Sequence, residues 1–301
     1  MSSKVYITKE ISPESVVNLY KLVEDKFNLT GNIAIKVHTG EKGNTNFIKP
    51  KFWQPIVEYV KGTVVETNTA YGGNRSTTSE HTKILREHDW IKTFDYVDLL
   101  DADGPDKELL VKNGYHLQSN LVGKNIAKYD SMMVLSHFKG HRMAGYGGAL
   151  KQLAIGCASS KGKARIHGAG DTSKFWETDQ DLFIESMVDA ASTIIDYFSK
   201  KIVYVNVMKN ISLDCDCFGD AVKPCMKDIA VLISDDPVAI DSACLHLIYT
   251  SKDPGKDELI KRIESKHGPY IIECAVEKGL GSKDFTLVNI EQEKKISFDV
   301  K

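Results

Sequence analysis

Nothing in the 301 residues is apolar for long enough to span a bilayer. The opening segment MSSKVYITKEISPESV also lacks the apolar core of a signal peptide. The chain is therefore expected to be cytoplasmic, with no membrane partner. No basic block interleaves with aromatics and the net charge is −2, so no nucleic-acid partner is expected. Cysteine is scarce: six residues do not make a secreted disulfide framework. There is no C-x-x-C-x-x-C run, so no four-iron four-sulfur motif. Solenoid repeats and low-complexity segments are absent too. What is present, 42% apolar and 27% charged residues, is ordinary for a globular protein of one large or two modest domains.

Short β-branched runs alternate with amphipathic segments. NIAIKV (32–37), TVVET (63–67), MMVLSHF (132–138), KIVYVNVM (201–208) and IAVLIS (229–234) read as strands. Their nearly continuous apolar character suits parallel strands buried on both faces. Ser12-Pro13-Glu14 opens a helix running to about residue 26. FWQPIVEYVK, SEHTKILREHDW, LFIESMVDAASTIIDYF, PVAIDSACLHLIY, ELIKRIES and IIECAVEKG are further helices, with Ser79 expected to cap the second of these and Gly279 to stop the last. The expected fold class is α/β, two lobes with mainly parallel sheets flanked by helices, Rossmann-like. The polar stretch 101–120 marks the boundary between an N-terminal lobe (1–118) and a C-terminal lobe (119–301). The last dozen residues read as an edge strand or tail.

Three polar clusters follow strands, where open α/β sheets bind ligands. The first, Lys36-Val-His38-Thr-Gly-Glu-Lys-Gly-Asn44-Thr45, combines a cation, an imidazole and glycines that free backbone N–H groups for an anion; the competing reading is a plain surface loop. The second places Asn74 and Arg75 after Gly-Gly, and Arg75 offers a fork for a carboxylate or phosphate. The third, SHFKGHRMAGYGGALKQLAIG, carries Gly145, Gly147 and Gly148 between His141 and Lys151, with His167 sixteen residues further on. The glycines allow close approach to a ligand. A buried lysine can act as a nucleophile or attach a cofactor, and neutral imidazoles ligate metals. A fourth feature, Cys215-Asp-Cys217 with Cys225 beyond it, can chelate a soft metal, or can be free thiols beside a turn. Cys244 and Cys274 lie on apolar helices and read as core.

The runs IKVHTGEKGNTNFIKP, ETNTAYGGNRSTTSEH, LSHFKGHRMAGYGGALKQLAIGC, KGKARIHG, NISLDCDC and ISDDPVAIDSAC closely resemble the family called domain of unknown function 362, over roughly residues 30–280. Its members are often labelled iron–sulfur centre proteins, and many carry an inserted ferredoxin-like segment after the KGKA stretch. Here that position holds GAGDTSKFWETDQDLF, without cysteine. A more distant resemblance is to the nickel-pincer lactate racemases, whose His-x-x-Ala-Gly-Tyr-x-Gly stretch and later lysine and histidine match His141, Lys151 and His167 in spacing. That likeness implies an acid/base at His141, a covalently held cofactor on Lys151 and a nickel ligand at His167. The second acid/base histidine of that group is replaced here by Asn74, which cannot shuttle a proton at neutral pH.

Two functional classes follow. In one, the chain binds a small anionic metabolite in a glycine-rich cleft and performs redox or racemase-like chemistry. Catalysis falls to His141 and Lys151, and Lys36, His38, Asn44, Thr45, Asn74, Arg75 and the three glycines hold the substrate. In the other, Cys215 and Cys217 handle a metal or cluster, or the cleft binds without catalysis. The cofactor is left open, with a transition metal (nickel, iron or zinc) as the candidate, its ligand being His167 in the first class and Cys215 and Cys217 in the other. The partners expected are a small-molecule ligand and a second copy in a homodimer.

Overall fold

The computed structural model describes residues 2–217, 219 and 221–289, together with the backbone of 295–298. In chain order the elements are β1 (Ser3–Thr8), α1 (Pro13–Lys21), β2 (Ile33–Lys36), α2 (Pro50–Val60), β3 (Thr63–Glu66), α3 (Thr78–Glu87), α4 (Trp90–Phe94), β4 (Asp98–Leu99), β5 (Lys107–Leu110), β6 (Ser119–Val122) and β7 (Ser131–His137). There follow β8 (Lys139–His141), β9 (Gly145–Gly147), α5 (Ala149–Cys157), α6 (Ser160–His167), α7 (Gln180–Tyr197), β10 (Ile202–Val207), β11 (Val231–Ser234), α8 (Pro237–Tyr249), α9 (Lys256–Glu264), α10 (Tyr270–Glu277), β12 (Phe285–Asn289) and β13 (Lys295–Phe298).

Nine strands form one sheet in the order β13-β12-β1-β11-β10-β7-β2-β3-β4. The run from β10 through β7, β2 and β3 to β4 is parallel throughout. Alternation along β7 explains the layers. Met132 and Val134 face one core with α5, α7, α8 and α10; Met133 and Leu135 face the other with α1 and α2. The fold is thus α/β with helices on both faces of a large, mainly parallel sheet. The 118/119 division falls in the connection of the β5–β6 hairpin, and strands from both sides of it hydrogen-bond within the single sheet.

Local signals and structure differ in places. Ser12 caps α1 in a reciprocal capping box with Ser15, but the helix ends at Lys21. The N-cap of α3 is Thr77, whose side chain accepts from the Glu80 amide, rather than Ser79. Gly279, just beyond α10, takes a left-handed φ of 74°. Strand β1 and helix α6 are not among the expected elements, and α6 opens on a Ser159 N-cap whose side chain accepts from the Gly162 amide. The expected C-terminal edge strand matches β13, while 290–294 and 299–301 lie outside the described residues.

Candidate functional site

Four neighbouring parallel strands, β10, β7, β2 and β3, end together, and a cleft of about 320 Å³ opens beyond their carboxyl ends. His38 follows β2, Thr67 and Thr69 follow β3, and Ser136 and His137 close β7. The β8–β9 hairpin contributes Lys139, His141 and Gly147, α5 contributes Lys151, and α6 contributes Lys163 and His167. Cys215 and Cys217 reach the cleft from the long connection after β10.

Beneath the cleft the charges are already paired. Lys36, fully buried, donates to Glu66 Oε1 at 2.6 Å. Arg75 Nε lies 3.2 Å from Glu41 Oε2, and Arg75 Nη1 lies 3.8 Å from Glu66 Oε2. The amides of Thr39 and Thr67 also donate to Glu66. Arg75 lines the cleft, whereas Lys36 lies below its surface. Asn44 turns its Oδ1 to the amides of Asn46 and Phe47, shaping the loop. Thr45 and Asn74 are exposed and stand apart from the cleft lining.

Hydrogen bonds fix which ring nitrogen of each histidine is available. His141 Nδ1 accepts from the amides of Met143 and Ala144, both at 3.0 Å. Its proton therefore sits on Nε2, which becomes a donor. His38 Nδ1 likewise accepts from the Gly40 amide at 3.1 Å. His167 is the reverse: Nδ1 donates to the Lys163 carbonyl at 2.8 Å, one helical turn back, so the Nε2 lone pair is free. Burial, reinforced by Lys151 and Lys139, holds the His141 imidazole well below its ordinary range. Burial pushes His167 down to about 4, and its ring stacks on Phe175 and Phe183. A neutral ring with its Nδ1 lone pair occupied is a hydrogen-bond donor and not a base. In this geometry His141 therefore differs from the acid/base expected of it, and His167 keeps the lone pair that a ligand or base needs.

Lys163 donates to Thr67 Oγ1 and to the carbonyls of Asn68 and Ala158, and burial lowers it to about 8. Lys151 makes no hydrogen bond or ion pair among the described residues. Burial, then Lys139, Lys163, Lys36 and Arg75, bring it down to about 7. These five cations face four carboxylates, Glu41, Glu66, Asp101 and Asp216, and Lys151 and Lys163 are the two without an ion pair. With Lys151 about half-protonated at neutral pH the two sides nearly balance, and Lys163 is the ammonium left to attract an anionic ligand.

Cys215 and Cys217 are joined by a disulfide. The carboxylate between them, Asp216, is buried and takes His137 Nδ1 and Lys139 Nζ on Oδ2, both at 2.8 Å. Desolvation opposes its charge, yet His137 and Lys139 hold it well below the ordinary range. The ligand atoms of His141, Cys215 and Cys217 lie within 4.8 Å of one another, close enough for one ion. While the bond stands the sulfurs are not thiolates, so only the reduced pair could ligate. Cys157, Cys244 and Cys274 are buried, and Cys225 Sγ faces the Ile211 carbonyl, so none of them joins this cluster.

The three glycines serve different ends. A Cβ on Gly148 would stand 2.4 Å from Asp241 Oδ1, the carboxylate that accepts the first amides of α5 from Ala149 and Leu150. Gly145, at φ +77°, would strike the Ile263 carbonyl. Of these three, Gly147 and Gly148 line the cleft. Sequence reasoning missed Lys139, Lys163 and Asp216. Lys163 carried a legible signal, the four-residue spacing to His167 on one helical face; Asp216 carried none, since its partners are 77 and 79 residues away in sequence.

Residues 33–246 match the family described as Domain of unknown function (DUF362), and the chain belongs to that family. No curated protein matches it in sequence. Among solved structures it is similar to the lactate racemase apoprotein from Thermoanaerobacterium thermosaccharolyticum, with a TM-score of 0.50 and 13% identity over 83% of this chain and 58% of that one. A protein from Thermotoga maritima aligns at a TM-score of 0.39 and 12% identity over 90% of this chain and 60% of that one. The chain thus spans about three fifths of the length of each, and the first likeness is one of fold. No helix among the described residues is long and apolar enough to cross a membrane.

Proposed function

We propose that the protein is an enzyme acting on a small anionic metabolite in this cleft, with the Lys151 amine and the His167 imidazole as its reactive groups. The observation that carries this reading is Lys151: an amine on the cleft wall, without an ion pair, surrounded by other cations. Such an amine loses its proton readily and can bond covalently to an electrophile or a cofactor. His38 and His141, as neutral donors, would hold the oxygens of a carboxylate. Lys139 and Lys163 add positive potential.

The resemblance to the nickel-pincer group implies a cofactor on Lys151 and nickel at His167. Donor chemistry at these positions fits: His167 has a free Nε2 lone pair and a carbonyl partner on Nδ1, and Lys151 has an unpaired amine. When bound, such a group would supply hydride or proton transfer at a hydroxy acid. The chain's own residues bind and orient the substrate through His38 and His141 and shield it beneath Phe175. With Asn74 exposed and outside the lining, a second acid/base is missing from its expected place, which favours a redox step over two-base racemisation. The close approach of Cys215 and Cys217 supports a second reading, a metal-handling protein that loads on the sulfurs when the cysteines are reduced.

Intact mass and metal content of the chain purified anaerobically from its native host test both. A covalent adduct mapping to Lys151, lost in Lys151→Ala, with a metal lost in His167→Ala, is the expected result. An unmodified chain whose metal leaves in Cys215→Ser and Cys217→Ser overturns the first reading in favour of the second.

A further inference from the structure

We propose that Cys215 and Cys217 form a redox-active dithiol–disulfide pair in the cleft wall, and that the pair exchanges with a small anionic disulfide. Four observations converge on it. The bond closes a loop with one intervening residue. A cross-link stabilises a fold more the longer the loop it closes, with the logarithm of loop length, so this one contributes little as a staple. Both sulfurs line the cleft, whereas the other four cysteines do not.

The backbone around the pair is held from three sides. The Glu41 amide donates to the Asp216 carbonyl at 2.8 Å, and the Tyr71 hydroxyl donates to the Cys217 carbonyl at 3.2 Å. The Asp216 carboxylate is clamped by His137 and Lys139. Breaking the S–S bond leaves these contacts intact, so the two thiols stay side by side, ready to close again. Finally, His141 Nε2 lies 4.0 Å from Cys217 Sγ, and the two amides on its Nδ1 oblige it to present an N–H there. That N–H can stabilise a thiolate on Cys217, which is half-buried and accessible; Cys215 is 5% exposed. Cys217 is thus the attacking sulfur and Cys215 the resolving one.

The exchange balances. The Cys217 thiolate attacks one sulfur of the small disulfide, forming a mixed disulfide and expelling one thiolate. The Cys215 thiolate then attacks the Cys217 sulfur, forming the internal bond and expelling the second thiolate. Two electrons pass from the protein dithiol to the small disulfide, and the two protons of the protein thiols end on the two released thiols. Lys163, the charged cleft ammonium without an ion pair among the described residues, favours an anionic partner.

The test uses the full chain, reduced with a phosphine under native conditions, desalted anaerobically and mixed with oxidised glutathione, with alkylation and mass analysis at intervals. Expected are a loss of about 2 Da mapping to 215–217 and release of two thiols per chain. Cys215→Ser should trap glutathione on Cys217, and His141→Phe should slow formation of that adduct. Cystamine, a cationic disulfide, should react about tenfold more slowly at low salt. A bond that resists the phosphine until the chain is denatured would make it structural and overturn the proposal. So would thiols that stay fully alkylatable after glutathione, or trapping at another cysteine. Equal rates for glutathione and cystamine would overturn the anionic partner.

Discussion

The Lys36 ammonium lies 2.6 Å from the Glu66 carboxylate, and both are buried at the base of the cleft. The pairing follows from register: β2 and β3 run parallel with Lys36 opposite Val65, which brings Glu66 alongside. Without Lys36 the buried Glu66 keeps only the longer Arg75 contact and two amides, so Lys36→Met is expected to destabilise the fold by up to about 3–5 kcal/mol. Lys36→Met with Glu66→Gln should recover part of that loss, because the under-compensated carboxylate charge is removed. Urea denaturation of the two variants checks both statements.

Gly148 and Gly147 should respond differently to alanine. At Gly148 the added methyl collides with Asp241, which caps α5, and the expected loss is about 1–3 kcal/mol. At Gly147 the nearest atom is Lys139 Cε at 3.7 Å, an ordinary contact, and the loss should stay under about 1 kcal/mol. Thermal melts of the two variants separate them.

Acid should unfold this protein early. His38, His81, His141 and His167 are all held below their ordinary range by burial, His167 at about 4. Between about pH 6.5 and pH 4 the unfolded chain binds more protons at these sites than the folded one. Stability is therefore fully present above the ordinary histidine pKa and is lost as pH falls through this window. For His167 alone the loss is about 3 kcal/mol. His88 and His246 are lowered as well, while Asp241, raised to about 6 by burial, and Asp235, also raised by burial, work in the opposite sense, so the net slope is set by six histidines against two carboxyls. Unfolding free energy measured at several pH values should rise steadily from pH 4 to 6.5. A flat profile would contradict the neutral, buried histidines.

Lys151 should be the fastest-reacting lysine near neutrality. With its pKa at about 7, its neutral fraction climbs through pH 7, where an ordinary lysine remains almost wholly charged. Limited acylation followed by peptide mapping should place the first adduct at Lys151, with a rate that levels off above about pH 8. A Lys151 rate still rising at pH 10 would show an unperturbed amine.

Much of the architecture was legible locally. The five apolar runs are β2, β3, β7, β10 and β11, because strands buried on both faces need apolar side chains at nearly every position. Ser12 and Pro13 announced α1 through capping chemistry that acts within one turn. The glycine-rich stretch marked the cleft, and Lys151, His141 and His167 do line it.

The amino-acid sequence by itself determined this protein's class: parallel strands and amphipathic helices, with reactive side chains placed just after strand ends. Only the tertiary structure decided what those side chains can do. Lys36 and Arg75 looked like ligand-holding cations, but register and loop packing gave them Glu66 and Glu41 as partners. His141 looked like an acid/base, but two backbone amides occupy its Nδ1. Gly148 lines the cleft as expected of a ligand contact, but what requires a glycine there is a carboxylate more than ninety residues away that fills the space beside it. Periodicity and capping depend on neighbours within a turn or two, whereas charge pairing, tautomer and thiol state depend on which distant groups the fold brings within a few ångströms.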